Sequence, residues 1–159
     1  MKITLYCIGS LKESYWKEAI AEYKKRLGAY CTIDIVECPD VPCKEKASEK
    51  EVEEVKTREG EKVLSHLKKG EYLIALDIGG KQYDSIELAH HIEERLVQNG
   101  SSLSFVIGGS LGLSKALRER ADEFISFGKG TFPHQLARVM LLEQLYRSFR
   151  ILRNEPYHK

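Results

Sequence analysis

"EYLIALDIGG", Glu71 to Gly80, carries an unbroken apolar run, Tyr72 to Leu76, closed by Asp77 and a pair of glycines. A strand with one face in water alternates apolar and polar residues, whereas one covered on both faces does not. The run therefore predicts a central strand of a parallel sheet, and it sets how its neighbours are read. Asp84-Ser85 opens a helix with Leu88, Ala89, Ile92 and Leu96 on one side, closed at Asn99-Gly100, and "SLSFVIGG" is a second buried strand. "LSKALRERA" gives a short helix capped by Ser114, and "EFISF" a short strand. Pro133 starts the last helix, to about Leu152, at a position where its missing N–H costs nothing.

Working toward the amino terminus, "KITLYCI" alternates and predicts a first strand, Lys2 to Ile8. Ser14 to Leu27 places Trp16, Ala19, Ile20, Tyr23 and Leu27 on one helical face, and Cys31 to Glu37 is a second strand. Pro39 and Pro42 break the chain. Lys44 to Glu71 then balances 8 basic against 8 acidic residues. Pairs at i, i+4 such as Glu54 with Arg58 predict a solvated helical excursion over Lys44 to Lys69, with an RNA-contacting arm as the alternative. Strands alternating with helices make an α/β fold, a mainly parallel sheet flanked by helices, as one domain over residues 1–159.

Composition narrows the class. At 42% hydrophobic and 31% charged, the 159 residues can bury a core, and no stretch approaches the roughly 20 apolar residues a membrane helix needs. The apolar run at the start is too short for a signal peptide, so a cytoplasmic location and no membrane partner are expected. Cys7, Cys31, Cys38 and Cys43 form no C-x-x-C pair and read as reduced thiols; with H-E-x-x-H also absent, no metal is expected. The net charge of +1 is uneven: Lys129 to Lys159 has 6 basic and 2 acidic residues, against 5 and 8 in Tyr72 to Gly128. A basic terminus points to an anionic partner.

Ligands of parallel sheets sit beyond the carboxyl ends of strands, where Gly79-Gly80, Gly108-Gly109 and Gly128 with Gly130 are expected to converge on one site. "GGSLGLSK" fails the phosphate-loop spacing, and "GKGTFP" lacks the third glycine of the dinucleotide fingerprint. "GGSLG" matches G-x-S-x-G, which leaves open a small serine hydrolase built on Ser110, Asp122 and His134. His90 and His91, in a Glu-rich helix, read as solvated, and more weight falls on His134 and His158. The last helix is apolar on more than one side, so one face is expected on the sheet and another on a second copy, with a charge at Leu142 or Leu145 separating the copies. Arg138, Arg147, Arg150 and Arg153 would emerge at a rim, as surface arginines with buried stems or as phosphate contacts.

"LDIGGKQYDS", "FVIGGSLGLS", "TFPHQLARVMLLEQLYRSFRI" and the terminal "NEPYHK" closely resemble the ribosomal RNA large subunit methyltransferase H family of the SPOUT superfamily, over nearly the whole length. The resemblance implies a C-terminal trefoil knot, which general topology rules would not suggest. It implies a homodimer that transfers a methyl group from S-adenosylmethionine to N3 of a pseudouridine in large-subunit ribosomal RNA, on the assembled ribosome. Cofactor contacts would fall at Leu76, at Gly108, and along Phe127, Gly128, Lys129, Gly130, Thr131 and Phe132. Other members often have Ser and Leu where this chain has Gly128 to Gly130, so the role of the Lys129 side chain is open. His158 as base or proton shuttle, Tyr157 orienting the target, and Arg147 or Arg150 stabilising charge are the catalytic candidates; His134, Arg138 and Arg153 would face the RNA. A non-catalytic ribosome-binding dimer is the remaining alternative.

Overall fold

The computed structural model describes residues 1–159. The elements in chain order are β1 (Lys2–Ile8), α1 (Ser14–Leu27), β2 (Thr32–Cys38), α2 (Glu49–His66), β3 (Leu73–Gln82), α3 (Ser85–Gln98), β4 (Ser102–Ile107), α4 (Lys115–Arg120), β5 (Glu123–Ser126) and α5 (His134–Leu152). The five strands form one sheet in the order β2-β1-β4-β3-β5, and every pairing is parallel. On one face α5 packs between α1 and α3, while α2 and α4 pack together on the other. The apolar run in β3 divides as its position demands: Ile74 joins the core under α5, Leu73 and Ala75 the core under α2 and α4, all three fully buried. No helix is long and apolar enough to cross a membrane.

The caps lie where the sequence placed them. Asp84 and Glu87 form a reciprocal capping box on α3, and the Ser114 hydroxyl accepts from the Leu117 N–H at 3.2 Å to start α4. β2 begins one residue later than expected. The four cysteines are free thiols, Cys7, Cys31 and Cys38 being buried. In α2, Lys56 pairs with Glu53 at 3.2 Å, and the Glu54–Arg58 pair does not form.

Three expectations are corrected. β3 does not end at Leu76: after pairing with Ile125 there, the chain bulges through Asp77 to Gly80 and returns to pair Lys81 with the same Ile125. Gly79 and Gly80 therefore belong to a strand irregularity rather than a ligand loop. A Cβ on Gly80 would lie 2.5 Å from the Ile125 carbonyl carbon, so glycine is required by backbone passing backbone. His91 is not solvated; its Nε2 lies 2.7 Å from Glu123, and its ring stacks on Tyr83. Leu142 and Leu145 are both 0% exposed in the chain's own core, so a charge at either would be buried without a partner and would unfold the domain before it separated copies.

The Gly80 crossing gives a direct prediction. Gly80→Ala must push β3 and β5 apart, an overpacking of about 2 kcal/mol or more. Calorimetry should show a fall in Tm of roughly 4–8 °C, and an unchanged Tm would refute the close approach.

Candidate active site

Beyond the carboxyl ends of β3, β4 and β5 lies a cavity of about 780 Å3. Its walls are three stretches: Leu76 to Ile78 in the β3 bulge, the loop after β4 from Ile107 to Leu113, and the segment from Ile125 to the first turn of α5. Leu76, Gly108, Phe127, Gly128, Gly130, Thr131 and Phe132 all line it. Lys129 does not; its side chain is exposed.

Side chains that sequence reasoning passed over hold these walls. The Ser126 hydroxyl accepts from the Gly128 N–H at 3.1 Å and lies 2.9 Å from the Gly128 carbonyl and 3.2 Å from that of Ile78, joining the β3 bulge to the loop after β5. Asp77 meets Arg118 of α4 through two bonds of 2.7 and 3.1 Å, and the guanidinium holds its carboxyl below the ordinary value. Behind the β4 loop stands Glu59 of α2, only 4% exposed, which accepts from the Val41 N–H at 3.0 Å. A Cβ on Gly109 would lie 3.7 Å from its carboxylate, and burial pushes its pKa up against the pull of the Val41 bond. Next to it, a Cβ on Gly60 would lie 2.2 Å from the Ser114 hydroxyl. The solvated excursion thus braces the site with two adjacent residues. The one sequence signal was a glycine inside a charged helix.

His134 and Arg138 enter from α5. Arg138 is 1% exposed, its guanidinium 2.9 Å from Glu37 and 3.3 Å from the Gly9 carbonyl, so it ties β1, β2 and α5 together inside the protein. That removes it from the rim where a phosphate contact would need it. Glu37 also accepts from the Leu11 N–H at 3.2 Å. His134 lines the cavity with its ring against Gly9, and its buried Nδ1 has no partner. Burial first, and then the Arg138 charge, lower its pKa from 6.5.

The tail assembles a second cluster. Arg147 donates to Glu143 at 2.6 Å and to His158 Nδ1 at 3.2 Å, and its guanidinium lies 4.7 Å from the Tyr157 ring centroid. Since a guanidinium only donates, Nδ1 is the acceptor and the His158 proton sits on Nε2. The Tyr157 hydroxyl donates to Glu143 at 3.2 Å; burial and that carboxylate push its pKa up to about 12. Arg150 is engaged elsewhere, on Glu155 at 2.6 Å and the Pro156 carbonyl at 2.6 Å, where it shapes the turn into the tail. His158, Glu143 and Gln144 border a second cavity of about 700 Å3, which shares the wall Ile125 to Phe127 with the first.

The serine triad does not assemble. Ser110 and His134 border one cavity, but Asp122 precedes β5 at the opposite end of the sheet, accepting from the Leu73 N–H at 2.8 Å and from Arg120 at 3.2 Å. What remains is a cavity walled by loop backbone at the carboxyl edge of a parallel sheet, where open α/β sheets bind their ligands. The chain belongs to the SPOUT methyltransferase family, whose profile, described as "Predicted SPOUT methyltransferase", matches residues 1–158. Among solved structures it is similar in fold to a probable methylase family protein from Haemophilus influenzae Rd KW20, with 14% identity, a TM-score of 0.50 and 96% of this chain covered. The chain spans 66% of that protein's length.

The position of His134 sets a pH signature. Its lowered pKa means that the folded state disfavours the imidazolium, so this contribution to stability is complete above pH 6.5 and is lost as pH falls through the folded value. An NMR titration should place His134 below 6.5, and His134→Gln should flatten the fall in Tm on acidification; a titration at or above 6.5 would contradict the burial described.

Proposed function

We propose that the protein transfers a methyl group from S-adenosylmethionine to N3 of a pseudouridine in large-subunit ribosomal RNA, on the assembled ribosome and as a homodimer. Membership of a methyltransferase family, together with a cavity walled by Leu76 to Ile78, the Gly108-Gly109 loop and Phe127 to Phe132, is the observation that carries it. The residues present suit the cofactor. Leu76, Ile107 and Leu113 offer an apolar slot for a purine, and the backbone of Gly108 and Gly128 is open to its polar edge. Asp77, on the same wall, is already paired with Arg118 and fixes the β3 bulge there.

The cofactor, when bound, supplies an activated methyl group on a sulfonium. The protein must then place the accepting nitrogen in line and keep water out. An imide nitrogen also has to lose its proton, and here the tail cluster acts. Arg147, carrying fixed positive charge beside His158, stabilises the developing anion, and the Nε2–H of His158 is free to donate to a ring oxygen. With Nε2 protonated and its Nδ1 lone pair held by Arg147, His158 can take the imide proton only at Nδ1 once that bond opens, and the imidazolium so formed would pass the proton on to solvent. Tyr157, fixed by Glu143 and the Arg147 guanidinium, orients the ring. Arg150 contributes by holding the tail, through Glu155 and Pro156.

Two copies meet, on this reading, over the outward stripe of α5, where half-buried Val139 and Met140 border one cavity with Ile86, 48% exposed, and Leu136, also half-buried, lies one turn back. The tail of each copy then serves the shared site.

Calorimetric titration with S-adenosylmethionine should show one site per chain, and silence would overturn the transferase reading. His158→Ala should lower single-turnover methylation of ribosomes from a strain lacking the modification by about 10²-fold or more, with cofactor affinity kept; near-normal turnover would remove His158 from the chemistry. Met140→Glu should yield folded, inactive monomers on sedimentation, and an active monomer would sink the dimer.

A further inference from the structure

We propose that the carboxyl ends of α1 and α5 form the surface on which the RNA outside the reacting base docks, with Arg153 as a stacking platform for an unpaired base. The proposal rests on the reading of the chain as an RNA methyltransferase. α1 ends on Lys24, Lys25 and Arg26, and α5 is followed by Arg153. The two ends are neighbours: the Arg26 guanidinium lies 5.7 Å from the Tyr146 ring centroid, and Tyr30, just after α1, stacks on Phe149. The carboxylates of the patch are already engaged, Glu22 with Arg26 at 2.9 Å, Glu143 with Arg147 and Glu155 with Arg150. Lys24, Lys25 and Arg153 form no close ion pair and stand in solvent, although Asp34, itself paired with Lys2, lies near enough to act on Lys24.

Lysines in the last turn of a helix also suit its dipole, so they alone decide little. Arg153 is different. Tyr30 lies parallel to Phe149, with ring centroids 5.4 Å apart and an interplanar angle of 1°, and Phe149 is 3% exposed in the core. The Tyr30 hydroxyl bonds to Glu155 and accepts from Arg150 at 3.2 Å, so the ring cannot swing. Over this fixed ring, at 4.9 Å from its centroid, sits the Arg153 guanidinium, exposed. A planar cation backed by an immobile ring is what an unstacked RNA base packs against, and phosphate attraction alone would need no backing ring. Of the large exposed apolar residues, Ile78, Ile86 and Phe132 line the two cavities, Tyr15 opens α1 and Val97 ends α3; only Met1, whose carbonyl accepts from the Thr32 N–H, is beside the patch, too little apolar surface for a lipid or an apolar protein partner. Arg153 follows Arg147, which the proposed mechanism sets at the reacting base, by six residues, roughly 9 Å of helix rise. The platform therefore takes a base close in the RNA to the one being methylated.

The test uses full-length protein and salt-washed ribosomes lacking the modification, with binding measured across a range of salt. For Lys24→Ala/Lys25→Ala the slope of log K against log salt should fall by about 0.7–0.9 for each phosphate that is no longer neutralised. Arg153→Lys keeps the charge and removes the plane, so affinity should drop about fivefold or more with the slope unchanged. Cofactor binding and Tm should stay as in wild type for both. Variants that bind ribosomes like the wild type overturn the surface and leave the methyltransferase reading standing. A wild type that methylates no ribosome overturns that reading and the surface with it. Variants whose sedimentation shifts while ribosome affinity holds make the face a contact between copies, which also overturns the proposal.

Discussion

The backbone of Gly80 passing the backbone of Ile125 is the contact on which the site depends. β3 leaves its partner at Leu76, bulges for four residues, and rejoins at Lys81 opposite the same Ile125. The bulge carries Leu76 to Ile78 over the end of β5, where Ser126 reaches both Ile78 and Gly128 with one hydroxyl. A regular strand would run past this point and leave the cavity without one of its three walls. A short-range steric allowance, the missing Cβ of one residue, thereby becomes the shape of a ligand site.

Chemistry is divided between two ends of α5. Its first turn, with His134 neutral beside the buried Arg138, completes the cavity; its last turns, with Arg147 and Arg150, organise the tail. Each arginine has a distinct task because each has a distinct carboxylate: Glu37 for Arg138, Glu143 for Arg147, Glu155 for Arg150. Arg138 is the clearest case of position overriding residue type. In sequence it is one of three arginines on a basic helix, and in space it is an internal clamp on β1 and β2.

Much of the fold was legible because its signals are local. An apolar run without alternation, Asp84-Ser85 opening a helix and a proline at a helix start report their own surroundings. The alternation within the β3 core, Ile74 to one side and Leu73 and Ala75 to the other, needs no knowledge of other segments. What could not be read depends on crossings between distant segments. Gly79-Gly80 looks like a ligand loop until Ile125 is placed against it, His91 looks solvated until Glu123 comes beside it, and Leu142 and Leu145 look available to a second copy until the chain's own core takes them. In the candidate site, the backbone walls followed from the family motifs. Ser126, Asp77 and Glu59 escaped because each works through a partner far away in the chain.

Glu59 and Gly60 show how unevenly a helix can be constrained. α2 is mostly open to solvent, and along its outer face charge can be exchanged for charge at little cost. At two adjacent positions no such freedom exists, since one carboxylate fills the space behind Gly109 and one absent side chain admits Ser114. The record of drift in this segment should therefore be a tolerant stretch interrupted by one rigid dipeptide. A charged surface helix of this kind acts as a keystone: its outline is free to weather, and the two faces it wedges apart are not.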